Sequence, residues 1–310
     1  MTDPPTAAPS SARARRRLRG AAILVTGGTG LIGRHLLQAL ADCGVDAFAV
    51  VRPRRESLVR RTARPIVWDL TEADSRSRLP TRLDGVVHLA APRNRWSPRG
   101  APLASHIRIS VDAAARVFDE AQARGASKAV YVSSIAVAGP RDARPGRSKP
   151  SHPYAMTKRW GEELAMALRA QVRGVTIVRP GPVYGPGQSR FGLLARFAAR
   201  LKRREPIAIA APHGRLVSPV FVGDVVDLIV ESLAQPANVT MSVGGPRPYR
   251  ERQLVEDLAG WLALPSRIRV DRSERPSRFD IDNGDVDRLF PGRQRTPWLD
   301  GLRLTWRRHS

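Results

Sequence analysis

The stretch TGGTGLIG, Thr26 to Gly33, constrains the chain more than any other. It lies directly between a short apolar run, AAILVT, and a segment with helical spacing, LIGRHLLQALADCG. A tight turn there needs glycine, and close approach of a pyrophosphate to the backbone needs glycine again. The amino end of the following helix supplies unpaired N–H groups and the positive end of a dipole. A bare G-x-G-x-x-G is weak. In a strand–turn–helix setting it marks a dinucleotide loop, with Gly27, Gly30, Leu31, Ile32 and Gly33 against the cofactor.

Downstream the chain keeps alternating strand and helix. DAFAVV, PIVWDL, DGVVHLAA, KAVYVSS and GVTIVRP read as five further strands. ISVDAAARVFDEAQARG, closing at Gly125, and the stretch after Ser151 read as helices between them. This alternation predicts an α/β fold, a Rossmann-like doubly wound parallel sheet over residues 20–180. After Pro180 the rhythm breaks at GPVYGPGQ. Residues 181–310 are expected to form mainly a smaller C-terminal substrate lobe, with some segments returning to the sheet. The first 19 residues, rich in Pro, Ala, Ser and Arg, are expected to be a disordered basic arm.

The formal net charge is +24, yet only four of the 52 basic residues are lysines and aromatic residues make up 5%. Arginines are scattered rather than clustered, and stacking platforms are scarce, so nucleic acid is not the expected partner. No run approaches the roughly 20 apolar residues needed to span a bilayer. A single cysteine, Cys43, rules out an internal disulfide framework and fits a reducing, cytoplasmic setting. No histidine, cysteine or carboxylate spacing suits a metal; His152 and His213 stand alone, and His88 reads as structural.

Where the second strand ends, an acid would take the adenosine ribose hydroxyls of NAD. The chain has VVRPRR instead, placing Arg52, Arg54 and Arg55 to meet a 2′-phosphate, so NADP(H) is favoured and NAD(H) stays open. Asp69 and Leu70, after the third strand, are suited to the adenine. In SHPYAMTKRWGEELAMAL, Tyr154 and Lys158 are four apart on one helix face. That pair alone proves little.

Taken together, TGGTGLIG, HLAA, YVSS, YAMTK and RPGPVYGPG resemble the extended short-chain dehydrogenase/reductase family, the NAD(P)-dependent sugar-nucleotide epimerase/dehydratase group. The resemblance runs from about residue 20 to the C-terminus. It implies that Tyr154 is the general acid or base at an alcohol or ketone. Lys158 lowers the tyrosine's pKa and holds the nicotinamide ribose, and Ser134 bonds the reacting oxygen. It places Ala90, Ala91, Pro180 and Val183 along the cofactor. It implies a homodimer, and a nucleotide sugar whose diphosphate meets Arg215 and Arg275. Asn94, after the fourth strand, borders the same pocket. Departures narrow the reading. Ile135 and Ala136 stand where dehydratases carry an Asp–Glu pair, Ala138 where many relatives have tyrosine, Ser110 near a usual asparagine, and Gly181 where another asparagine is common. The expected activity is therefore NADP(H)-dependent reduction of a keto sugar, such as 4-ketoreduction in deoxysugar formation. A 4-epimerase, a ketoreductase of non-sugar substrates and a non-catalytic relative of the fold remain the alternatives.

Overall fold

The computed structural model describes residues 12–72, 79–92, 102–139, 152–188, 192–274 and 276–306. Its strands are β1 (Ala22–Thr26), β2 (Asp46–Val51), β3 (Arg64–Val67), β4 (Gly85–His88), β5 (Lys128–Val132), β6 (Gly174–Pro180), β7 (Val183–Tyr184), β8 (Ile207–Ala210), β9 (Leu216–Val217), β10 (Val220–Phe221), β11 (Val239–Val243), β12 (Tyr249–Arg250), β13 (Ile268–Asp271) and β14 (Arg278–Phe279). The helices are α1 (Ala12–Leu18), α2 (Leu31–Asp42), α3 (Leu103–Ile107), α4 (Ala113–Ala123), α5 (Pro153–Ala167), α6 (Leu193–Lys202), α7 (Val222–Ala234), α8 (Glu251–Leu262), α9 (Gly284–Leu289) and α10 (Trp298–Thr305).

Seven strands form one parallel sheet in the order β11-β6-β5-β4-β1-β2-β3. Strand order reverses between β1 and β4, and the crevice beyond the carboxyl ends of those two strands is where such sheets bind ligands. Side chains alternate across the sheet as the two-residue period requires. Ile23 and Val25 pack with Leu36, Leu37 and Leu40 of α2, on the face that α7 also covers. Leu24 packs with Val117 of α4 and Ala165 of α5 on the other. The expected helix ahead of β5 starts earlier than its sequence suggests. α3 and α4 are joined by a π-helical turn, Arg108–Asp112, which packs on α5.

The disordered arm is the expectation that fails, in its last residues. Ala12–Leu18 is helical, and Ala14 and Leu18 are fully buried among the residues packed around α7. Burying one leucine is worth about 2 kcal/mol, and Arg17 adds a bond to the Ala234 carbonyl at the end of α7. Composition had hidden a two-residue apolar stripe four apart. Residues 1–11 lie outside the described part.

Beyond Pro180 the chain has two destinations. β11 and α7 return to the sheet, while β8 with β13, and β9 with β12 and β14, build small sheets of their own. Among the described residues no helix is long and apolar enough to cross a membrane.

Candidate active site

The phosphate loop is shaped by backbone crowding. Gly27 sits at φ +70°, and a Cβ there would lie 2.8 Å from the Leu89 carbonyl carbon and 2.9 Å from the Ala90 nitrogen. A Cβ at Gly33 would collide with the Gly27 carbonyl oxygen. Gly30 is the N-cap of α2 and donates to the Gly27 carbonyl at 2.9 Å. Loop, helix start and the end of β4 thus pack without side chains between them, leaving the amino end of α2 bare toward the crevice. A dinucleotide pyrophosphate fits this cradle. Leu31 and Ile32, half-buried, open the helix.

Thr26 closes the floor. Its Oγ1 accepts the Leu89 and Ala90 amides, both at 3.2 Å, and so gives its proton to His88 Nδ1 at 3.0 Å. That network assigns the His88 proton to Nε2. Burial, and then the charge of Lys158, push the His88 pKa down to about 3. His88 is a neutral floor residue, as its position suggests.

α5 is held against the sheet at several points. Gly161 leaves the space that the Tyr131 hydroxyl fills, which a Cβ would occupy. Glu162, buried, takes two bonds from Arg179 of β6, at 2.8 and 2.5 Å. Lys158 is 2% exposed; its Nζ donates to the Val132 carbonyl at 2.7 Å and lies 4.8 Å from the centre of the Tyr131 ring. The ammonium is therefore fixed at the carboxyl end of β5, two residues before Ser134. Tyr154, one turn earlier on α5, is 4% exposed. α5 also packs on the short 3-10 turn Ile135–Ala138 that Ser134 caps. Ser134 Oγ accepts the Ala136 amide at 3.2 Å, so the capping role is real, and the hydroxyl proton is left to point elsewhere.

Other expected site residues divide clearly. Ala90 is buried under the loop and Ala91 follows it, half-buried. Pro180 closes β6, and Val183 pairs with Val220. Gly181 has no room for an asparagine, because a Cβ there would strike the Ser218 carbonyl. Asp69 Oδ1 accepts the Thr71 amide at 2.9 Å and its hydroxyl at 2.7 Å; these bonds, and weakly Arg52, hold its carboxyl below the usual range. Leu70 follows it, its carbonyl within 3.4 Å of Arg116. Arg52, Arg54 and Arg55 are exposed, Arg54 at φ +64°.

Arg215, the expected diphosphate contact, already has a protein partner. Its guanidinium donates to Glu251 Oε1 at 2.9 and 2.7 Å, and its amide to Oε2. Asn94 and Arg275 lie outside the described residues. A cavity of about 560 Å3 opens beside the turn that Ser134 caps, lined among others by Ile135, Ala138, Ile281, Asp282 and Arg288. Ala138, small where a tyrosine is common, helps to form it. Among the described residues no cluster suits a metal.

Sequence reasoning missed two histidines. His152 is no isolated residue: its Nδ1 accepts the Tyr154 amide at 3.2 Å. His106, buried, lies beside both His152 and Tyr154. The only signal was a polar residue ahead of a helix-starting proline.

Residues 23–244 match the NAD dependent epimerase/dehydratase family. A Streptomyces dTDP-4-dehydro-6-deoxy-D-allose reductase is 27% identical over 300 residues, covering 85% of this chain and 89% of its own. The UDP-glucose 4-epimerase of Azospirillum brasilense is 27% identical over 332 residues, covering 92% of each. MoeE5, solved with UDP-glucose and NAD, superposes with a TM-score of 0.76 at 26% identity, over 92% of this chain and 97% of its own. With the loop at the β1–β4 crevice and the Ser–Tyr–Lys set beside it, the chain belongs to the NAD dependent epimerase/dehydratase family, and is an oxidoreductase of the extended short-chain dehydrogenase/reductase type.

Proposed function

We propose that the protein is an NADP(H)-dependent 4-ketoreductase of a nucleotide-linked deoxysugar. The observation that carries this reading is Lys158. A buried ammonium bonded to the last carbonyl of β5 stands one helical turn from Tyr154, on the same face of α5. Tyr154 then gives a proton to, or takes one from, the oxygen at the reacting carbon, and Ser134 donates a hydrogen bond to that oxygen. A bound nicotinamide supplies or accepts the hydride. Thr26, neutral His88 and the packed glycines form the buried floor beneath it.

Three arginines, with no acid between Val51 and Arg55, support NADP(H) over NAD(H). Consumption of NADPH suits a reductase. Neutral Ile135 and Ala136 after Ser134 leave no acid there for elimination of water. The similarity to the Streptomyces reductase supports a keto-deoxysugar substrate. Residues 20–180 would act as the cofactor domain, and later segments, apart from β11 and α7, as the substrate lobe. We infer a homodimer through the α4 and α5 surfaces, where Trp160 is 42% exposed, and a cytoplasmic location.

The equal coverage by an epimerase favours one second reading, a 4-epimerase that retains its NAD. One experiment separates the two. Nucleotide released from the purified protein is identified by mass spectrometry, the stripped protein is titrated with NADPH and NADH, and NADPH oxidation is followed with a dTDP-4-keto-6-deoxyhexose. Loose binding, NADPH preference and oxidation are expected. Tightly retained NAD without net oxidation would make the epimerase the better reading.

A further inference from the structure

The start of α5 is built around Tyr154 itself. Pro153 occupies the first helical position and has no N–H. The first amide needing an acceptor is therefore that of Tyr154. His152, at φ −99° and ψ 134°, meets it with Nδ1 at 3.2 Å. Serine, threonine, aspartate or asparagine oxygens usually take this place; here it is an imidazole. The acceptor role assigns the His152 proton to Nε2.

A second imidazole braces the first. His106, 1% exposed on α3, lies edge-on to His152 with ring centres 6.5 Å apart and planes at 88°. It also lies 6.4 Å from the Tyr154 ring at 63°. One histidine holds the tyrosine's backbone, and the other touches both that histidine and the phenol ring. An oxygen cap would hold the amide equally well but would offer His106 no ring to rest on.

We propose that His152 and His106 are positioning residues that set the direction of the Tyr154 phenol. The inference rests on the reading of Tyr154 as the proton-transfer group. Proton transfer needs the phenol oxygen within hydrogen-bond reach of the reacting oxygen, so a small rotation at the second residue of α5 matters. A displacement of about 1 Å in such a group costs on the order of 10²-fold in rate.

The full-length protein is compared with His152→Ala, His152→Asn, His106→Leu and Tyr154→Phe. His152→Ala is expected to lower kcat about tenfold or more while the KM for NADPH stays within about twofold. His152→Asn, which restores an amide acceptor, recovers much of that loss; His106→Leu loses rate with the cap intact. Unchanged kcat in His152→Ala, or a fall matched by lost NADPH binding and lost folded protein, would overturn the proposal. If Tyr154→Phe keeps its turnover, or no ketosugar is turned over, the reading of Tyr154 or of the substrate fails separately. The positioning role is then decided without substrate. Crystal structures of the parent and of His152→Ala, both with NADPH bound, show where the Tyr154 phenol lies. A displacement of its oxygen by about 1 Å is expected in the variant; an unmoved phenol sinks the role.

Discussion

The two ends of the proposed cofactor crevice are made differently. At the nicotinamide end, Lys158, His88, Thr26 and Tyr154 are all under 5% exposed, and the polar contacts of the first three are short and specific. At the adenosine end, Arg52, Arg54 and Arg55 stand in solvent on a turn. Burial removes alternatives: an ammonium inside a protein must find a carbonyl or a carboxylate. Exposure leaves them, because water competes for every contact. On the reading proposed, the first end specifies the chemistry and the second leaves cofactor choice adjustable.

The sharpest way to break this contrast is Lys158→Met. With the ammonium gone, kcat should fall about 10²–10⁴-fold while the protein stays folded. Steady-state rates beside NADPH affinity check it; a change confined to KM would reduce Lys158 to a ribose holder. Gly33→Ala comes next. Its Cβ would collide with the Gly27 carbonyl, so the loop must shift, costing about 1–3 kcal/mol in stability. Thermal melts and cofactor titration should both show the loss.

A pH test probes the buried floor. The His88 pKa lies at about 3 in the folded protein, against about 6.5 in an unfolded chain. Between those values the unfolded chain binds a proton that the folded one refuses. Stability from this residue is full above about pH 6.5 and is lost as pH falls, by roughly 1.4 kcal/mol per unit. Urea midpoints between pH 7 and 5 should fall less steeply in His88→Gln than in the parent. Equal slopes would mean that the floor admits water.

At the solvated end effects should be smaller. Arg52→Ala should cut the preference for NADPH over NADH about tenfold, the worth of one charge-assisted bond, with kcat nearly unchanged. Fluorescence titration with both nucleotides measures it. Smallest of all, Arg64→Ala removes an exposed pair with Asp46 at 3.4 Å and should change stability by less than about 0.5 kcal/mol. A larger effect there would show that exposed arginines at this edge do more than solvate.

Much of the frame was legible. β2 and β6 match their sequence segments because each is mostly apolar and buried, as a doubly covered parallel strand requires. Ser134, Tyr154 and Lys158 could be chosen because an ordered set of motifs surrounds them. The pairing of Arg215 was illegible for the opposite reason. Its partner Glu251 lies 36 residues on, at the start of a different helix, and no local pattern announces the pair. α1 was hidden by four arginines around Ala14 and Leu18, whose value appears only when α7 lies beneath them.

By itself the sequence determined the sheet and the phosphate loop, since periodicity and glycine requirements act within a few residues. Tertiary structure decided which charges are already paired, which histidines stand against Tyr154, and where β11 and α7 return. Those depend on contacts between segments far apart in the chain, and burial energy is settled only when both partners are in place.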